Sequence, residues 1–595
     1  MILVFGGTTE GRLAAEVCEA AGKTYYYSTR GSGQDVPLVH GQRLTGGMTA
    51  AEIRRFVQER GVRCIVDAAH PFAEELHRAV AEAGVPVVRL QRELGEPTEG
   101  VTYCCDVEEA LERLLAEPAE RLLALTGVKS IEKLAPYWRQ HTTFFRILNR
   151  PESLRRASEA GFPAEQLLYY DEELSLPTTD EEAELMQRIG CDVVLTKRSG
   201  ANGGLEAKTE AAKRLGLRCL VIEPPRLPEA WTYVTGKHGL RREIERKVPE
   251  FFELKTGLTT GTCAQAATKA ALVSLLSGAE VEAVTVLMPC GERVSVEVEP
   301  EGSGAASVVK CWSDDPDVTR GCRVRAEVAF LERGAKGVRF ERGRGVGVAT
   351  LEGLGIPVGE AAVSVAVRKA IEAEVRGMTE RGVRVRLSIE NGEVLARQTF
   401  NGRVGVEGGL SIIGTSGVVI PFSNEAFVES IGREMEVAAA NYRSESGART
   451  EGERRGIGLA SGKMGEEMLL REEPDLWVIH YGNFVGAALR KAYEVGFRRV
   501  VLGIMIGKAV KLAAGNLDTH SHKVSMDKDF LVRVAESVGV GDARQRVEGI
   551  RMARELWGCM PPEFFERLRE LCQQHCREVF PTGEIVIRML CDREM

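Results

Sequence analysis

Two glycine- and threonine-rich turns, Gly6-Gly7-Thr8-Thr9-Glu10-Gly11-Arg12 and Lys255-Thr256-Gly257-Leu258-Thr259-Thr260-Gly261-Thr262-Cys263, each open an alternating α/β run. Residues this small let backbone approach an anionic or extended ligand, with N–H groups aimed at it from the following helix. Two such openings predict two separate ligand sites. In the first half, three further loops follow apolar runs: Asp67-Ala68-Ala69-His70-Pro71-Phe72-Ala73, Thr126-Gly127-Val128-Lys129, and Thr196-Lys197-Arg198-Ser199-Gly200 with its continuation to Gly203-Gly204. Parallel sheets bind ligands beyond the carboxyl ends of their strands, so four loops on one edge predict a single site. In the second half, Thr259-Thr260-Gly261-Thr262 before an Ala-rich helix predict an anion nest. Ser411 to Gly417 reads as a strand-turn-strand able to press backbone against a flat ring, and Gly482-Asn483 and Gly507-Lys508 read as two βα turns of a doubly wound sheet.

The elements that must position these loops follow from hydrophobic period. Ile2–Phe5, Cys64–Ala68, Val85–Leu90, Leu122–Thr126, Val193–Thr196 and Cys219–Ile222 read as strands, with helices over Glu10–Ala21 and Phe72–Ala83. Strands alternating with helices predict a parallel sheet, here an α/β fold with two Rossmann-like lobes over residues 1–248 and a passage between them near Arg150-Pro151. The charge-alternating stretch Arg241 to Glu253 reads as a solvated connector or helix, a tether between halves. An α+β domain over 252–445 and a further α/β domain over 446–595 follow.

Composition bounds the function classes. A chain of 595 residues needs several cores, and 44% apolar residues suffice for them. A net charge of −8 with no long Lys/Arg run argues against nucleic-acid binding. The fourteen cysteines show no CxxC pairing, which predicts reduced thiols, a cytoplasmic location and no zinc cage. The opening apolar run Met1–Phe5 lacks the basic flank of a signal peptide, and no run of eighteen apolar residues occurs, so neither export nor a membrane partner is expected. Asp314-Asp315-Pro316-Asp317 reads as a turn with cap chemistry rather than a metal cluster.

The motifs GGTTEGR, DAAHPFAEELHRAVAEAGVPVVRLQR, LLALTGVKS and VVLTKRSGANGGLEAKTEAAKRLGLRCLVIEPP resemble the precorrin-6A reductase family of cobalamin biosynthesis over residues 1 to about 248. LKTGLTTGTCAQAATKAAL, SDDPDVTRG, GRGVGVATLEGLGIPVGEAAVS, TFNGRVGVEGGLSIIGTSGVV, YGNFVGAAL and IGKAVKLAAGNLDTHS resemble the cobalt-precorrin-5B C-1 methyltransferase family over about 252 to 595. Three departures stand out: Asp171–Thr178 replaces a Gly-Pro-Phe-Ser stretch, Gly11 replaces an alanine, and Met505 replaces a histidine.

These resemblances imply two consecutive activities on cobalt-containing corrin-precursor macrocycles: methylation at C-1 from S-adenosylmethionine, then a pyridine-nucleotide-dependent reduction. Gly6, Gly7, Thr8, Thr9, Glu10, Arg30, Thr126, Gly127, Gly203 and Gly204 are expected to hold the nucleotide. Ser28-Thr29-Arg30 tilt the choice toward NADPH over NADH. Thr259, Thr260, Gly261, Thr262, Gly482, Asn483, Gly507 and Lys508 are expected at the S-adenosylmethionine site. The reduction needs a proton for the carbon beside the hydride acceptor, and His70, Lys197 and Asp67 are the candidate acids. Arg12, Arg30, Lys129, Lys197, Arg198 and Lys208 suit the carboxylate arms of the substrate. A homo-oligomer is compatible with all of this, and so is a corrinoid-binding or carrier protein that has lost one activity.

Overall fold

The computed structural model describes residues 1–31, 36–92, 94, 97–170, 176–200, 203–311, 313–444, 456–520 and 525–590. The chain forms two compact units, one of Met1–Glu253 with Glu292–Val294, the other of Leu254–Gly291 with Ser295–Met595. Residues 171–175 of the replaced segment Asp171–Thr178, together with Ala201 and Asn202, lie outside the described residues.

Short apolar runs build two six-stranded sheets in the first unit. The strands are β1 (Ile2–Phe5), β2 (Tyr25–Thr29), β3 (Gly41–Thr45), β4 (Cys64–Asp67), β5 (Val87–Leu90), β6 (Thr102–Cys104), β7 (Arg121–Ala124), β8 (Thr142–Leu148), β9 (Leu167–Tyr170), β10 (Val193–Lys197), β11 (Arg218–Ile222) and β12 (Thr232–Val234). One sheet has the order β12-β5-β4-β1-β2-β3 and the other β6-β11-β10-β7-β8-β9. Every pairing is parallel. Central strands are covered on both faces, which is why β1 is buried throughout and reads as an unbroken apolar run.

The order reverses between β1 and β4 in one sheet and between β7 and β10 in the other. These are the two places where doubly wound sheets leave a crevice at their carboxyl ends. The loops after β1, β4, β7 and β10 are the four singled out by composition, but they lie two on each sheet and not four on one edge.

The expected passage near Arg150-Pro151 is corrected by the topology. β8, the helix Pro151–Glu159 and β9 form one crossover inside the second sheet, with Leu148 paired to Tyr170. Proline at the first helical position starts that helix, since its missing N–H has no partner to lose there. The chain instead changes sheet between β5 and β6 and returns between β11 and β12.

The supposed tether is also corrected. Helix Gly236–Lys247 and the residues after it bury Leu240, Ile244, Val248, Phe251 and Phe252 in one core with Ile2 and Val4. The alternating charges lie on the other positions, and the i, i+4, i+8 spacing of Leu240, Ile244 and Val248 is the apolar stripe.

In the second unit, helix Thr260–Ser277 packs on a five-stranded sheet ordered 299–300, 305–309, 323–330, 383–389, 338–342. A four-stranded parallel sheet follows, ordered Trp477–His480, Ile457–Ala460, Arg499–Met505, Glu584–Leu590. Helix Asn424–Ser444, placed by the sequence boundary at 445 with the α+β region, joins this last layer instead. Its Ile431, Met435, Ala438 and Ala439, at i, i+4, i+7, i+8 spacing, are buried with Ile457, Leu459 and Ile479. Among the described residues no helix is long and apolar enough to cross a membrane.

Candidate active sites

At the first turn, Gly7 has φ +96°, a conformation open to glycine, and nothing lies within 4 Å of the Cβ it lacks. No described atom therefore fills the space beside this glycine. Thr8 caps helix Thr9–Glu19: its Oγ1 accepts from Gly11 N (3.1 Å) and donates to Ala68 O (2.7 Å), tying the loop after β1 to that after β4. Glu10, in the first helical turn, accepts two bonds from Arg92, Nε to Oε1 at 2.9 Å and Nη2 to Oε2 at 2.8 Å. Burial raises the Glu10 pKa, but the Arg92 bonds outweigh it and leave the carboxyl below its ordinary value. Arg92 Nη1 also donates to Ser199 O at 2.8 Å, so one guanidinium joins the loops after β1 and β10. Arg92 was not among the expected site residues; a fork-shaped cation just after the apolar run Val87–Leu90 was the available signal.

Gly11 is required by packing as well as tolerated by the helix. A Cβ there would lie 2.7 Å from Gly6 Cα and 2.8 Å from Tyr27 Oη. Alanine gains about 1 kcal/mol of helix propensity, whereas overpacking against backbone costs ~1–3 kcal/mol. Gly11→Ala should therefore lower stability by roughly 1 kcal/mol net. A raised melting temperature in a calorimetric scan would show that the turn yields.

Arg30 is exposed at the end of β2, with the Glu152 carboxylate 3.9 Å from it. Ser28 and Thr29 are buried, with Thr29 Oγ1 donating to Gly31 O at 2.8 Å. In the second lobe, Thr126 Oγ1 pairs with Ser130 Oγ at 2.5 Å and Gly127 has φ +79°. A Cβ on Gly203 would overlap Ser199 Oγ, and Gly204 (φ +63°) enters helix Leu205–Arg214. Lys208 Nζ donates to Gly203 O at 2.6 Å, and Arg198 is paired with Glu223 at 2.9 Å.

The three candidate acids separate by environment. Asp67 is fully buried, 3.0 Å from Arg89 Nη1 and 2.8 Å from His77 Nδ1. Burial pushes its pKa up, and the bond from His77 and the charge of Arg89 more than reverse this, leaving it below the ordinary carboxylate value. Buried and held ionised between these two partners, it is an anchor beneath the loop. A charged residue inside the buried run Val87-Val88-Arg89-Leu90 was the sign that an opposite charge had to meet it. His70 is reached by water, yet the surrounding cleft walls and then Arg92, Lys197 and Arg89 hold its pKa down to about 4. Its Nδ1 accepts from Phe72 N at 3.2 Å, so the neutral ring presents Nε2–H. Lys197 is half-buried, its Nζ 4.9 Å from the Phe72 ring centroid, with no hydrogen-bond or ion-pair partner among the described residues. Burial, and then Lys129, lower its pKa to about 8.

In the second unit the Thr259–Thr262 turn is not an open nest. Thr259 Oγ1 accepts from Thr262 N (3.2 Å), Gly261 N donates to Ile413 O (2.9 Å) and Thr262 Oγ1 donates to Gly417 O (2.7 Å). Thr260 and Ile413 bond each other through Thr260 Oγ1 and Ile413 N at 3.1 Å. The close approach that small residues permit is taken by the protein's own segment 411–417, to which Thr259, Thr260, Gly261 and Thr262 are latched. The same holds for the carboxylates of the acidic turn. Asp314 accepts from Lys255 N (2.7 Å), Asp315 from Phe422 N (3.0 Å), and Asp317 pairs with buried Lys310 (2.5 Å). Among the described residues no cluster suited to a metal occurs.

The carboxyl edge of the last sheet is partly open: the groups at Gly482 and Asn483 are taken up within the chain, and the space beside Gly507 and Gly462 is not. Gly482 has φ +57° and its carbonyl accepts from Lys508 Nζ, while Asn483 O accepts from Thr519 N at 2.9 Å. Burial, then Lys511, lower the Lys508 pKa. The positions beside Gly507 and Gly462 are empty to 4 Å. Ser461-Gly462-Lys463, after the central strand, was missed in the sequence although it repeats the pattern of an apolar run followed by glycine. Next to it Arg403 pairs with Glu466, which bonds His480 Nε2 at 2.9 Å. Glu434, 3.8 Å from Arg403, is pushed up to about 7 by burial, with Glu466 adding to this and Arg403 opposing it.

The first unit is thus a two-lobed α/β unit whose strand-end loops meet through Arg92, fused in one chain to a second unit that ends in another parallel sheet. The family model described as precorrin-6x reductase CbiJ/CobK matches residues 1–240, and that described as CbiD matches residues 247–421. The cobalt-precorrin-5B C(1)-methyltransferase of Prosthecochloris aestuarii is 40% identical over 363 residues, covering 57% of this chain and 95% of the relative. That of Geobacillus sp. WCH70 is 35% identical over 336 residues, covering 54% and 88%. The chain belongs to the cobalt-precorrin-5B C(1)-methyltransferase family and carries a precorrin-6x reductase region ahead of it. Among solved structures, CobK precorrin-6A reductase aligns with 42% of this chain and 97% of its own at 24% identity and TM-score 0.34. The cobalamin biosynthesis protein cbiD of Archaeoglobus fulgidus aligns with 45% and 83% at 29% identity and TM-score 0.25.

Proposed function

We propose that the second unit methylates C-1 of cobalt-precorrin-5B with S-adenosylmethionine and the first unit reduces the product, cobalt-precorrin-6A, with NADPH. The observation that carries the reductive half is the convergence of the loops after β1, β4 and β10 on Arg92, Phe72 and Lys197. The open turn at Gly7, the start of helix Thr9–Glu19 and exposed Arg30 fit a dinucleotide. When bound, the nicotinamide supplies hydride to one carbon of the macrocycle. Lys197 Nζ supplies the proton to the adjacent carbon and is recharged from water. With a pKa of about 8, a useful fraction is protonated near neutrality while the proton remains easy to release. Neutral His70 offers Nε2–H as a hydrogen bond to the ring's carboxylate arms, and Lys129 and Arg12 add positive charge for those arms.

In the second unit, Gly482, Asn483, Gly507 and Lys508 are the residues that would hold S-adenosylmethionine, with Gly462 beside them. The sulfonium supplies the methyl group. The protein's part is to hold donor and acceptor in line, worth up to ~7–11 kcal/mol in favourable systems. The full chain given cobalt-precorrin-5B, S-adenosylmethionine and NADPH should add one methyl group and then two hydrogens, followed by mass spectrometry. Without NADPH it should stop at the methylated compound. Hydrogens added in the absence of S-adenosylmethionine would overturn the proposed order.

A further inference from the structure

His480 ends the apolar strand Trp477–His480, level with Ala460 at the end of the central strand. It therefore stands at the carboxyl edge of the last sheet, beside the turn Ser461-Gly462-Lys463 and two residues before Gly482. Its Nε2 lies 2.9 Å from Glu466 Oε2. Arg403 pairs with the other oxygen, Glu466 Oε1, and its Nη2 also reaches Val478 O, on the strand of His480, at 3.5 Å. A carboxylate gripped by a guanidinium only accepts hydrogen bonds, so the neutral imidazole carries its hydrogen on Nε2 and its lone pair on Nδ1. No described residue bonds that Nδ1, and the Phe400 ring, 6.4 Å from the imidazole and steeply tilted at 82°, has no polar atom to offer it.

The charged groups around this pair come from three elements packed on the strand. Glu466 belongs to helix Lys463–Glu472, Arg403 to the short helix Asn401–Val404 and Glu434 to helix Asn424–Ser444. Glu434 is 3.8 Å from Arg403, and its Oε1 is buried with no hydrogen-bond partner among the described residues. Burial and then Glu466 act to push its pKa up to about 7 against the charge of Arg403, which leaves Arg403 chiefly to Glu466.

Methylation itself calls for a base. The bond from C-1 to the methyl carbon forms with an electron pair of the macrocycle's π system. The S–CH3 bond breaks and leaves its pair on sulfur, now a neutral thioether. The positive charge has passed to the ring and is discharged when a ring N–H or C–H bond breaks, its electron pair returning to the π system and its proton leaving. We propose that His480 Nδ1 takes this proton and later releases it to water, with Glu466 as the positioning residue that fixes the ring through Nε2 and stabilises the imidazolium. This rests on the methyl-transfer reading above. Donor and acceptor carbons must approach to roughly 3–3.5 Å, so an S-adenosylmethionine held at Gly462 and Gly507 brings the acceptor ring to the edge where His480 ends its strand.

The test is methyl transfer by the full chain from S-adenosylmethionine to cobalt-precorrin-5B, followed by mass spectrometry across pH, beside a calorimetric titration of S-adenosylmethionine and a thermal melt. In His480→Gln the side-chain amide still donates to Glu466, so the melting temperature should hold and S-adenosylmethionine affinity stay within about twofold, while turnover falls at least about a hundredfold. A base acts only unprotonated, so wild-type turnover should fall on the acid side, and that limb should be absent from the variant. Glu466→Gln should move the limb to lower pH, because the imidazolium loses the carboxylate that stabilises it. Imidazole added to His480→Ala should restore turnover by about tenfold or more. Wild-type turnover in His480→Gln overturns the assignment, as does an acid limb that survives in it. A loss in His480→Ala that imidazole leaves unrestored, with a lowered melting temperature, overturns the base in favour of a structural role. A wild-type chain that transfers no methyl group overturns the methyl-transfer reading, a distinct failure because the variants then have no turnover to lose.

Discussion

Lys197→Met should keep the fold and lose reduction by at least about a hundredfold, the lower end of what one positioned acid contributes. Methionine retains the aliphatic stem against the Phe72 ring, so the melting temperature should hold. Lys197→Arg separates the two roles open to this cation. Arginine keeps the charge but never releases its proton near neutrality, so KM for the macrocycle should stay near wild type while kcat falls as in the methionine variant. The pH profile has a fixed sign. The lysine acts as an acid only while protonated, so wild-type turnover should fall as pH rises through about 8, and that limb should vanish in both variants. Full turnover in Lys197→Met, measured with cobalt-precorrin-6A and NADPH, would return this lysine to a solvated loop residue.

Asp67→Asn should be the most destabilising single change in the first unit, by ~3–5 kcal/mol, because it leaves the buried Arg89 guanidinium without its counter-charge. The carboxyl's folded pKa lies below its unfolded one, so its contribution is complete above the unfolded value of roughly 4 and is lost as pH falls through the folded value. Urea denaturation near neutrality should show the full difference between wild type and variant, and the gap should close in strong acid. Equal midpoints near neutrality would mean that Arg89 finds another acceptor. Reduction by the surviving folded fraction should persist, which sets Asp67 apart from Lys197.

Local rules were enough to read the α/β class, the strand-end loops and the two-part organisation. A parallel strand is an apolar run followed by a turn, and glycine with threonine marks such a turn wherever it occurs. The same rules could not say what approaches the turn. At Gly7 the space beside the backbone is open, whereas at Thr259–Thr262 it is filled by residues 411–417 of the same chain, and both sequences are equally rich in glycine and threonine. Nor could they separate His70, Asp67 and Lys197, since acid strength depends on burial and on charges brought from elsewhere: Arg89 and His77 around Asp67, Lys129 near Lys197. Arg150-Pro151 looked like a boundary and proved to be an ordinary crossover, because a proline that stops one element also starts the next. The order in which strands pair, and therefore which loops face each other, is a long-range property of the packed chain. The sequence by itself determined which residues end the strands; only the tertiary structure decided that Arg92 joins two of those ends and that Lys197 stands over the Phe72 ring with no ion-pair partner among the described residues.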